Sequence, residues 1–277
     1  MRKTLLSLPL IACLIAALLP STVKAQPYYE DAVAVLMYHH VHDLDRSSST
    51  IPAQLLYKQL YTLQMQGFHF ISMEQFRHFL QGQSLPPNAV LVTFDDGYES
   101  FYIHAYPILK ELSIPSVNFL ITKHLTGKHQ TYVAPMNSFH LRQIRQYQST
   151  NAPVELQCHT HNMHHYLGKL PMLMHITKAN QQDLIDDLAT NIQLLLPYNN
   201  QPVDSFSYPF GKYNSSTLHA VRQAGIRYAF TIQEGLATRS SAHLAIPRIN
   251  AGSPDIEASD LVRKLKKLAL AHKKKPA

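Results

Sequence analysis

Two adjacent aspartates follow an apolar, β-forming run in the first half of the sequence. Residues 90–94 read VLVTF and lead directly into Asp95, Asp96 and Gly97. Successive strand side chains point in opposite directions, so both carboxylates can face one site only if the chain leaves strand geometry there, which Gly97 permits. A metal cation would relieve the repulsion between them and keep one carboxylate ionised. The alternative is a plain turn with a helix cap, since Asp-Gly is a common turn pair.

A cluster of histidines follows another apolar run. Residues 154–158 lead into four histidines within seven residues, at positions 159, 161, 164 and 165. Imidazole suits zinc and related metals, and two histidines with one carboxylate leave coordination positions open for water and substrate. His159 at the strand end and His164 beyond a turn could converge on one ion. His161 and His165 are alternative ligands, and in a chain with 17 histidines a surface cluster is the alternative interpretation.

Two further apolar runs end in groups that could complete an active site. Residues 33–38 lead into His39, and residues 205–208 lead into the sequence Pro209-Phe210-Gly211. At the mouth of a barrel with a metal above it, His39 is a candidate general acid, although a lone histidine near a strand is otherwise a structural residue. The Pro-Phe-Gly sequence predicts a sharp turn that leaves the Phe210 N–H free to donate to an oxyanion.

The four groups share a position because β-rich runs alternate with amphipathic helical runs. The predicted strands are residues 33–38, 68–71, 89–94, 116–121, 154–158, 205–208, 228–232 and 245–249. The predicted helices are residues 52–66, a helix that begins with a capping box of Ser72 and Gln75, and residues 137–148, 179–195, 215–224 and 255–271. This alternation predicts a parallel α/β barrel or a doubly wound sheet, with chemistry at the C-terminal ends of the strands.

The composition predicts one exported domain. A chain of 277 residues with 45% hydrophobic and 16% charged residues buries a full core, which excludes a disordered, collagen-like or coiled-coil protein. A signal peptide is predicted at residues 1–25, because Arg2-Lys3 precede an apolar run at 5–19 and small residues stand before Gln26. A single domain at 26–277 follows it. The expected location is the periplasm or cell envelope, or the medium. A lipid anchor at Cys13 is the alternative, since LIAC resembles a lipoprotein box.

The charge distribution gives one candidate surface. Without residues 1–25 the formal net charge falls from +7 to +4, so the mature chain is mildly basic and we predict no nucleic-acid partner. Basic residues concentrate in a helix and tail at about 255–277, which predicts either a peripheral contact with the anionic envelope or a solvated helix with a cationic end. Cys158 would be the one remaining cysteine, so no intramolecular disulfide is expected.

Together these motifs resemble the polysaccharide deacetylases of carbohydrate esterase family 4. The resemblance is carried by residues 93–97 (TFDDG), by His159-Thr160 with His164, and by residues 208–211 (YPFG). The opening VLMYHHV at 35–41 and the five-residue spacing of the two histidines resemble the branch that deacetylates poly-β-1,6-N-acetylglucosamine, a biofilm polymer. The resemblance implies a distorted (β/α) barrel of about seven to eight strands.

The resemblance also implies residue roles. It implies three ligands for a divalent metal, which are Asp96, His159 and His164. The metal would be zinc, with nickel, cobalt or iron as alternatives. Asp95 would act as the general base, His39 as the general acid and the Phe210 backbone as an oxyanion donor. The implied partner is an acetylated polysaccharide.

The sequence departs from the family pattern at the substrate groove and beside the base. It has no tryptophan to line a groove. The tyrosines that could stack on a sugar instead are Tyr38, Tyr98, Tyr166, Tyr208 and Tyr213. The arginine that many relatives carry before the proline of the third motif is absent, and Arg248 is either its substitute or part of a surface ion pair. The candidate substrate-binding residues are Tyr208, Pro209 and Arg248.

Three functions are consistent with these motifs. The first is a metal-dependent N-deacetylase of exported poly-β-1,6-N-acetylglucosamine. The second is a deacetylase of chitooligosaccharides or peptidoglycan, or a xylan O-acetyl esterase, because fold and motifs do not encode the linkage. The third is an inactive carbohydrate-binding envelope protein.

Overall fold

The computed structural model describes residues 26–125, 133–146 and 151–273. Its strands are β1 (Ala32–Tyr38), β2 (His40–Val41), β3 (Thr50–Ile51), β4 (His69–Phe70), β5 (Ala89–Phe94), β6 (Ser116–Leu120), β7 (Val154–Cys158), β8 (Tyr166–Leu167), β9 (Leu170–Pro171), β10 (Ser205–Ser207), β11 (Tyr228–Phe230), β12 (Ala237–Thr238) and β13 (Ile249–Asn250). Its α-helices are α1 (Ala53–Met65), α2 (Met73–Leu80), α3 (Tyr106–Glu111), α4 (Ser138–Gln146), α5 (Gln181–Leu195), α6 (Ser215–Gln223) and α7 (Ala258–Lys273). The predicted signal peptide, Cys13 and the last four residues of the basic tail lie outside the described residues.

The main sheet winds in one direction. Its parallel strands follow chain order from β1 through β5, β6, β7 and β10 to β11. On the other side of β1, β13 pairs with Leu36 and Met37, and Ile246 just before it bridges Phe230 of β11. A doubly wound sheet would reverse its strand order at a switch point. The predicted distorted α/β barrel is therefore confirmed and the doubly wound alternative is wrong.

Side chains of the strands alternate between two apolar layers, as the period of a strand requires. On β1, for example, Ala34 and Leu36 belong to the outer layer, which also contains residues of α1, α3, α5, α6 and α7. Val33 and Val35 belong to the inner layer, which contains residues of α2. The barrel is thus packed on both faces, and its strands are fixed well enough to hold side chains at their ends.

Helix α2 closes the N-terminal end of the barrel with a buried ion cluster. The Arg77 guanidinium donates to Glu155 at 2.8 Å and to Asp204 at 3.0 Å, and all three side chains are buried. Burial disfavours the charged guanidinium, but the two carboxylates outweigh this effect and raise the pKa of Arg77. Because this cluster fills the N-terminal end of the barrel, only the C-terminal end is open to hold an active site.

Most predicted elements are present, but one predicted strand is misplaced and several short elements were not predicted. Strands β5 and β7 have the predicted bounds, and Ser72 and Gln75 form the predicted capping box of α2. The predicted strand 245–249 is wrong, since only Ile249–Asn250 form a strand there; Pro247 has no N–H to donate to a ladder. Helix α3 and the two-residue strands β2, β3, β8, β9 and β12 were not predicted. In the described part of the chain, no helix is both long and apolar enough for a membrane span.

Candidate active site

The two adjacent aspartates diverge at the end of β5 because the backbone changes hand. Asp95 still belongs to the ladder, since its N–H donates to the Tyr38 carbonyl at 2.9 Å. Asp96 and Gly97 both have positive φ, at 72° and 73°. The departure from strand geometry therefore begins at Asp96, one residue earlier than the glycine suggested. A left-handed aspartate costs roughly 1–2 kcal/mol, and here it turns the second carboxylate toward the histidines.

The second carboxylate meets two of the four clustered histidines. Asp96 Oδ1 lies 3.3 Å from His159 Nε2 and 3.4 Å from His164 Nε2. The three ligand atoms lie within 4.8 Å of one another. The alternative ligands are placed elsewhere: His161 Nδ1 lies 3.0 Å from Thr122 Oγ1, and His165 is exposed. The structure thus brings together the three residues expected to bind a metal.

The protonation of His159 fits a cation at this point. Its Nδ1 lies 2.8 Å from the Ser207 carbonyl, which can only accept, so Nδ1 carries the proton and Nε2 is directed at Asp96. Asp96 Oδ1 is buried and has no partner with hydrogen-bond geometry among the described residues. A histidine that donates one N–H to a carbonyl while its other nitrogen faces a carboxylate oxygen has the arrangement of a metal ligand.

The pKa shifts of the three side chains also fit a cation beside Asp96. Burial raises the pKa of Asp96, but the close contact with His159 and the other nearby imidazoles outweigh burial and lower it far below its usual range. Burial lowers the pKa of His159, but the aspartates outweigh burial and raise it. Burial and the neighbouring His159 lower the pKa of His164 to about 4, which keeps that ring in the neutral form a metal requires. The three side chains fit a divalent metal.

A second group with metal-like spacing is already satisfied by hydrogen bonds. His40, His42 and Asp45 also place ligand atoms within 4.8 Å of one another. However, His42 Nδ1 accepts the backbone N–H groups of Leu44 and Asp45, and the two nitrogens of His40 contact Ser100 at 2.8 Å and Asp45 at 3.0 Å. Because the lone pair of His42 Nδ1 is used by the turn, His42 differs from His159, and the Asp96 group is the better candidate for a metal site.

The first carboxylate is held by a buried arginine. Arg248 donates to Asp95 Oδ1 at 2.8 Å and to Oδ2 at 2.6 Å, and its other N–H groups reach Ser207, Thr93 and the Thr231 carbonyl. Arg248 is 1% exposed, so the surface ion-pair alternative is wrong. The expectation that Arg248 binds substrate is also wrong, because its side chain does not reach solvent. Burial raises the pKa of Asp95, but Arg248 outweighs burial and lowers the pKa to about 2.

Ser207 links the first carboxylate, Asp95, to His159. Its hydroxyl donates to Asp95 Oδ2 at 3.0 Å, while its carbonyl accepts from His159. The sequence motifs did not point to Ser207 as a functional residue. Its role depends on two contacts across the sheet, which no local pattern in the sequence signals.

The general-acid and oxyanion candidates lie at the same strand ends. His39 Nε2 is 3.9 Å from Asp95 Oδ2, and the His39 side chain is 22% exposed. Phe210 has φ of 58° in the turn after β10, and its N–H donates to no other described residue. The Phe210 ring packs 4.4 Å from the His164 ring, measured between centroids. Five of the expected groups therefore surround one space, with a free backbone donor on one side.

The structure separates the tyrosines that could contact a sugar. Tyr208 is 1% exposed, and its hydroxyl donates to the Leu244 carbonyl. Pro209 is also buried. The expectation that these two side chains bind substrate is therefore wrong. Tyr38 is fully buried, whereas Tyr98 and Tyr213 are partly buried. Tyr166 is 54% exposed, and its ring lies 4.5 Å from that of Phe210. Of the five, Tyr166 presents the most open face beside the metal group.

Comparison with known proteins agrees with this geometry. The family model for polysaccharide deacetylase matches residues 82–229, which include both aspartates and both histidines of the site. The chain belongs to the polysaccharide deacetylase family. It is therefore a hydrolase of the class that acts on carbon–nitrogen bonds other than peptide bonds.

Individual relatives cover most of this polysaccharide deacetylase. It is 28% identical over 240 residues to poly-β-1,6-N-acetyl-D-glucosamine N-deacetylase of Staphylococcus aureus strain MRSA252, covering 82% of this chain and 81% of the relative. Among solved structures it is similar to Streptococcus pyogenes deacetylase PplD, with a TM-score of 0.72 and 25% identity over 86% of this chain and 99% of that one. It is also similar to IcaB from Ammonifex degensii, with a TM-score of 0.71 and 25% identity over 85% of this chain and 97% of that one.

Proposed function

We propose that this polysaccharide deacetylase is a metal-dependent N-deacetylase of poly-β-1,6-N-acetylglucosamine. The observation that carries the proposal is that the two adjacent aspartates have different partners. Asp96 faces the imidazoles of His159 and His164, while Asp95 faces His39 and Arg248. The names of the staphylococcal relatives support the polymer. The predicted signal peptide supports action outside the cytoplasm, in the periplasm or cell envelope.

Asp96, His159 and His164 would hold the metal. A divalent ion bound there supplies a Lewis acid that polarises the acetyl carbonyl and makes water more acidic, which an unreactive amide requires. Zinc suits two imidazoles and one carboxylate with open coordination positions, and nickel, cobalt and iron are alternatives.

Asp95 acts as the general base. Its carboxylate stays ionised at neutral pH because Arg248 lowers its pKa to about 2, so it is ready to accept a proton from the attacking water. Arg248 and Ser207 fix both carboxylate oxygens, which orients the base toward the space that the metal ligands border.

His39 and Phe210 act on the two sides of the acetamide. The Phe210 N–H donates to the negative charge that develops on the carbonyl oxygen in the transition state. His39, at 3.9 Å from the base and open to solvent on one side, donates a proton to the leaving sugar amine. Acetate and a glucosamine unit are the products, and each unit gains a positive charge.

The test is acetate release by the metal-loaded protein from matched β-1,6-linked and β-1,4-linked N-acetylglucosamine oligomers, with a chelated control. We expect chelator-sensitive release from the β-1,6 oligomer. Release from the β-1,4 oligomer alone would contradict the proposed polymer and favour the chitooligosaccharide or peptidoglycan alternative. No release from either oligomer, with one metal bound per chain, would contradict catalysis on N-acetylglucosamine polymers and favour a binding protein.

A further inference from the structure

Helix α5 holds the loop that joins the two candidate histidine ligands. The Asp187 carboxylate accepts the backbone N–H of His161 through Oδ1 and that of Asn162 through Oδ2, both at 2.7 Å. Asp187 is 9% exposed, whereas the neighbouring Asp186 is exposed and its carboxylate accepts from Gln182 on the surface. Two short charge-assisted bonds to one buried carboxylate fix the orientation of two consecutive peptide groups.

One turn further along α5, Asn191 holds the carbonyl side of the same loop. Its side-chain amide donates to the Thr160 carbonyl and, at 3.0 Å, to the Leu120 carbonyl. The His159 N–H donates to the same Leu120 carbonyl at 3.1 Å. Residues four apart share a helix face, so Asp187 and Asn191 can both form hydrogen bonds with the backbone of this loop.

The loop needs this support because it begins in an unfavourable conformation. Thr160 has φ of 72°, in the left-handed region, where a residue other than glycine is disfavoured. Consecutive N–H groups beside such a residue form a concavity that attracts an anion, and Asp187 fills it. The turn allows His164 to return toward Asp96, which its Nε2 approaches to 3.4 Å.

We propose that Asp187 is a positioning residue for the metal site, which sets the affinity and coordination geometry of the bound ion without touching ion or substrate. The inference rests on the proposed metal dependence and deepens it. The carboxylate fixes the loop, the loop fixes His164 relative to His159, and the separation of the two imidazoles fixes where they meet a metal. Partners behind metal ligands commonly govern affinity in this way.

The test compares Asp187→Asn with the adjacent surface variant Asp186→Asn. An amide at position 187 presents its NH₂ group to one of the two backbone N–H groups, so one bond becomes a repulsion. We expect zinc dissociation constants 10–100-fold higher for Asp187→Asn, measured by competition with a chromogenic chelator, and a changed visible spectrum of the cobalt-substituted protein. Asp186→Asn should stay within twofold of wild type. Asp187→Ser is the second variant, since the smaller side chain removes the charge and its hydroxyl can rotate so that the oxygen, and not the O–H, faces a backbone N–H group.

Each outcome bears on the inference. A lower melting temperature of the metal-free Asp187 variants, with zinc affinity and cobalt spectrum unchanged, would reduce Asp187 to a structural residue and overturn it. Equal weakening by Asp186→Asn would also overturn it, because the effect would then follow net charge rather than the loop. Wild-type protein that binds none of zinc, nickel, cobalt and iron would instead overturn the metal dependence itself, and that failure is recognised without any variant.

Discussion

At the scale of single residues, the adjacent aspartates have different partners and therefore different expected losses. Asp95→Asn should reduce kcat by at least about a thousandfold, because the amide cannot accept the proton of water, while metal remains bound. His159→Ala should lose metal and turnover together, because it removes a ligand. Metal content by mass spectrometry alongside acetate release distinguishes the two. Near wild-type turnover by metal-loaded Asp95→Asn would contradict the assignment of the base.

The buried Arg248 determines the ionisation of Asp95. In Arg248→Met the carboxylate is left without its counter-ion, so burial should raise the pKa of Asp95 and move the acid limb of kcat/KM to higher pH. Unfolding in urea should show a loss of about 3–5 kcal/mol, as for other broken buried ion pairs. The control is Arg239→Met, which breaks an exposed pair with Asp31 and should cost at most about 1 kcal/mol. An unmoved acid limb would argue against Arg248 as the group that tunes the base.

The sign of this dependence follows from the direction of the shift. The folded-state pKa of Asp95, about 2, is below its ordinary value of 3.8. The ionised carboxylate therefore contributes stability above pH 3.8, and that contribution is lost as the pH falls toward 2. In Arg248→Met burial raises the folded-state pKa of Asp95, so this acid-dependent loss of stability should shrink, and it should reverse in sign once the folded-state pKa exceeds 3.8.

The exposed Tyr166 is the candidate sugar contact of the proposed reaction. Tyr166→Ala should raise KM for a β-1,6 oligomer about tenfold, which corresponds to about 1.4 kcal/mol, whereas Tyr166→Phe keeps the ring and should change KM little. Leu170→Ala, an equally exposed position across the same hairpin, is the matched control. Steady-state kinetics on the oligomer decide the question, and equal effects of the alanine variants would remove Tyr166 from the groove.

At the scale of elements, the turn after β10 depends on a glycine that no other residue can replace. Gly211 has φ of 65°, and a Cβ there would clash with the stiff, β-branched Ile232. Gly225 has a similar φ of 85° but open space around it. The turn that presents the Phe210 N–H is thus fixed both by conformation and by contact with the segment after β11.

These two glycines make a matched pair of variants. Gly211→Ala should lower kcat about 10²–10³-fold by displacing the Phe210 donor, whereas Gly225→Ala should affect stability by about 1–2 kcal/mol and leave kcat unchanged. Adding Ile232→Ala to Gly211→Ala removes the clash and should restore part of kcat. If the double variant were as slow as the single one, the displacement of the turn by Ile232 would not be the cause.

At the scale of the whole molecule, metal binding should stabilise the fold, because the ligands come from the ends of two strands. Zinc at 100 times its dissociation constant adds about 2.7 kcal/mol, which for a protein of this size corresponds to a rise of about 5–10 °C in Tm. Chelation should reverse the rise, and His164→Ala should show none. Scanning calorimetry tests this, and an equal rise in His164→Ala would place the stabilising ion elsewhere, for example at His40, His42 and Asp45.

The amino-acid sequence was sufficient to predict the strands and the polar residues at their ends. The apolar runs before Asp95 and His159 are buried strands of the predicted bounds, because the pattern of a buried strand is local. The resemblance of the same motifs to a known family pointed to the candidate ligands. The prediction of a strand at 245–249 was wrong because it followed the apolar residues of that run and gave too little weight to Pro247, which cannot donate to a ladder.

Only the tertiary structure decided which partner each side chain meets. Arg248 reaches Asp95 across 153 positions of sequence, and Asp187 reaches the histidine loop from another helix. It also showed that Tyr208 is buried and Tyr166 exposed, although both are tyrosines beside motif residues. Strand formation depends on neighbours along the chain, whereas ionisation, burial and coordination depend on neighbours in space, and the winding of the barrel alone brings those together.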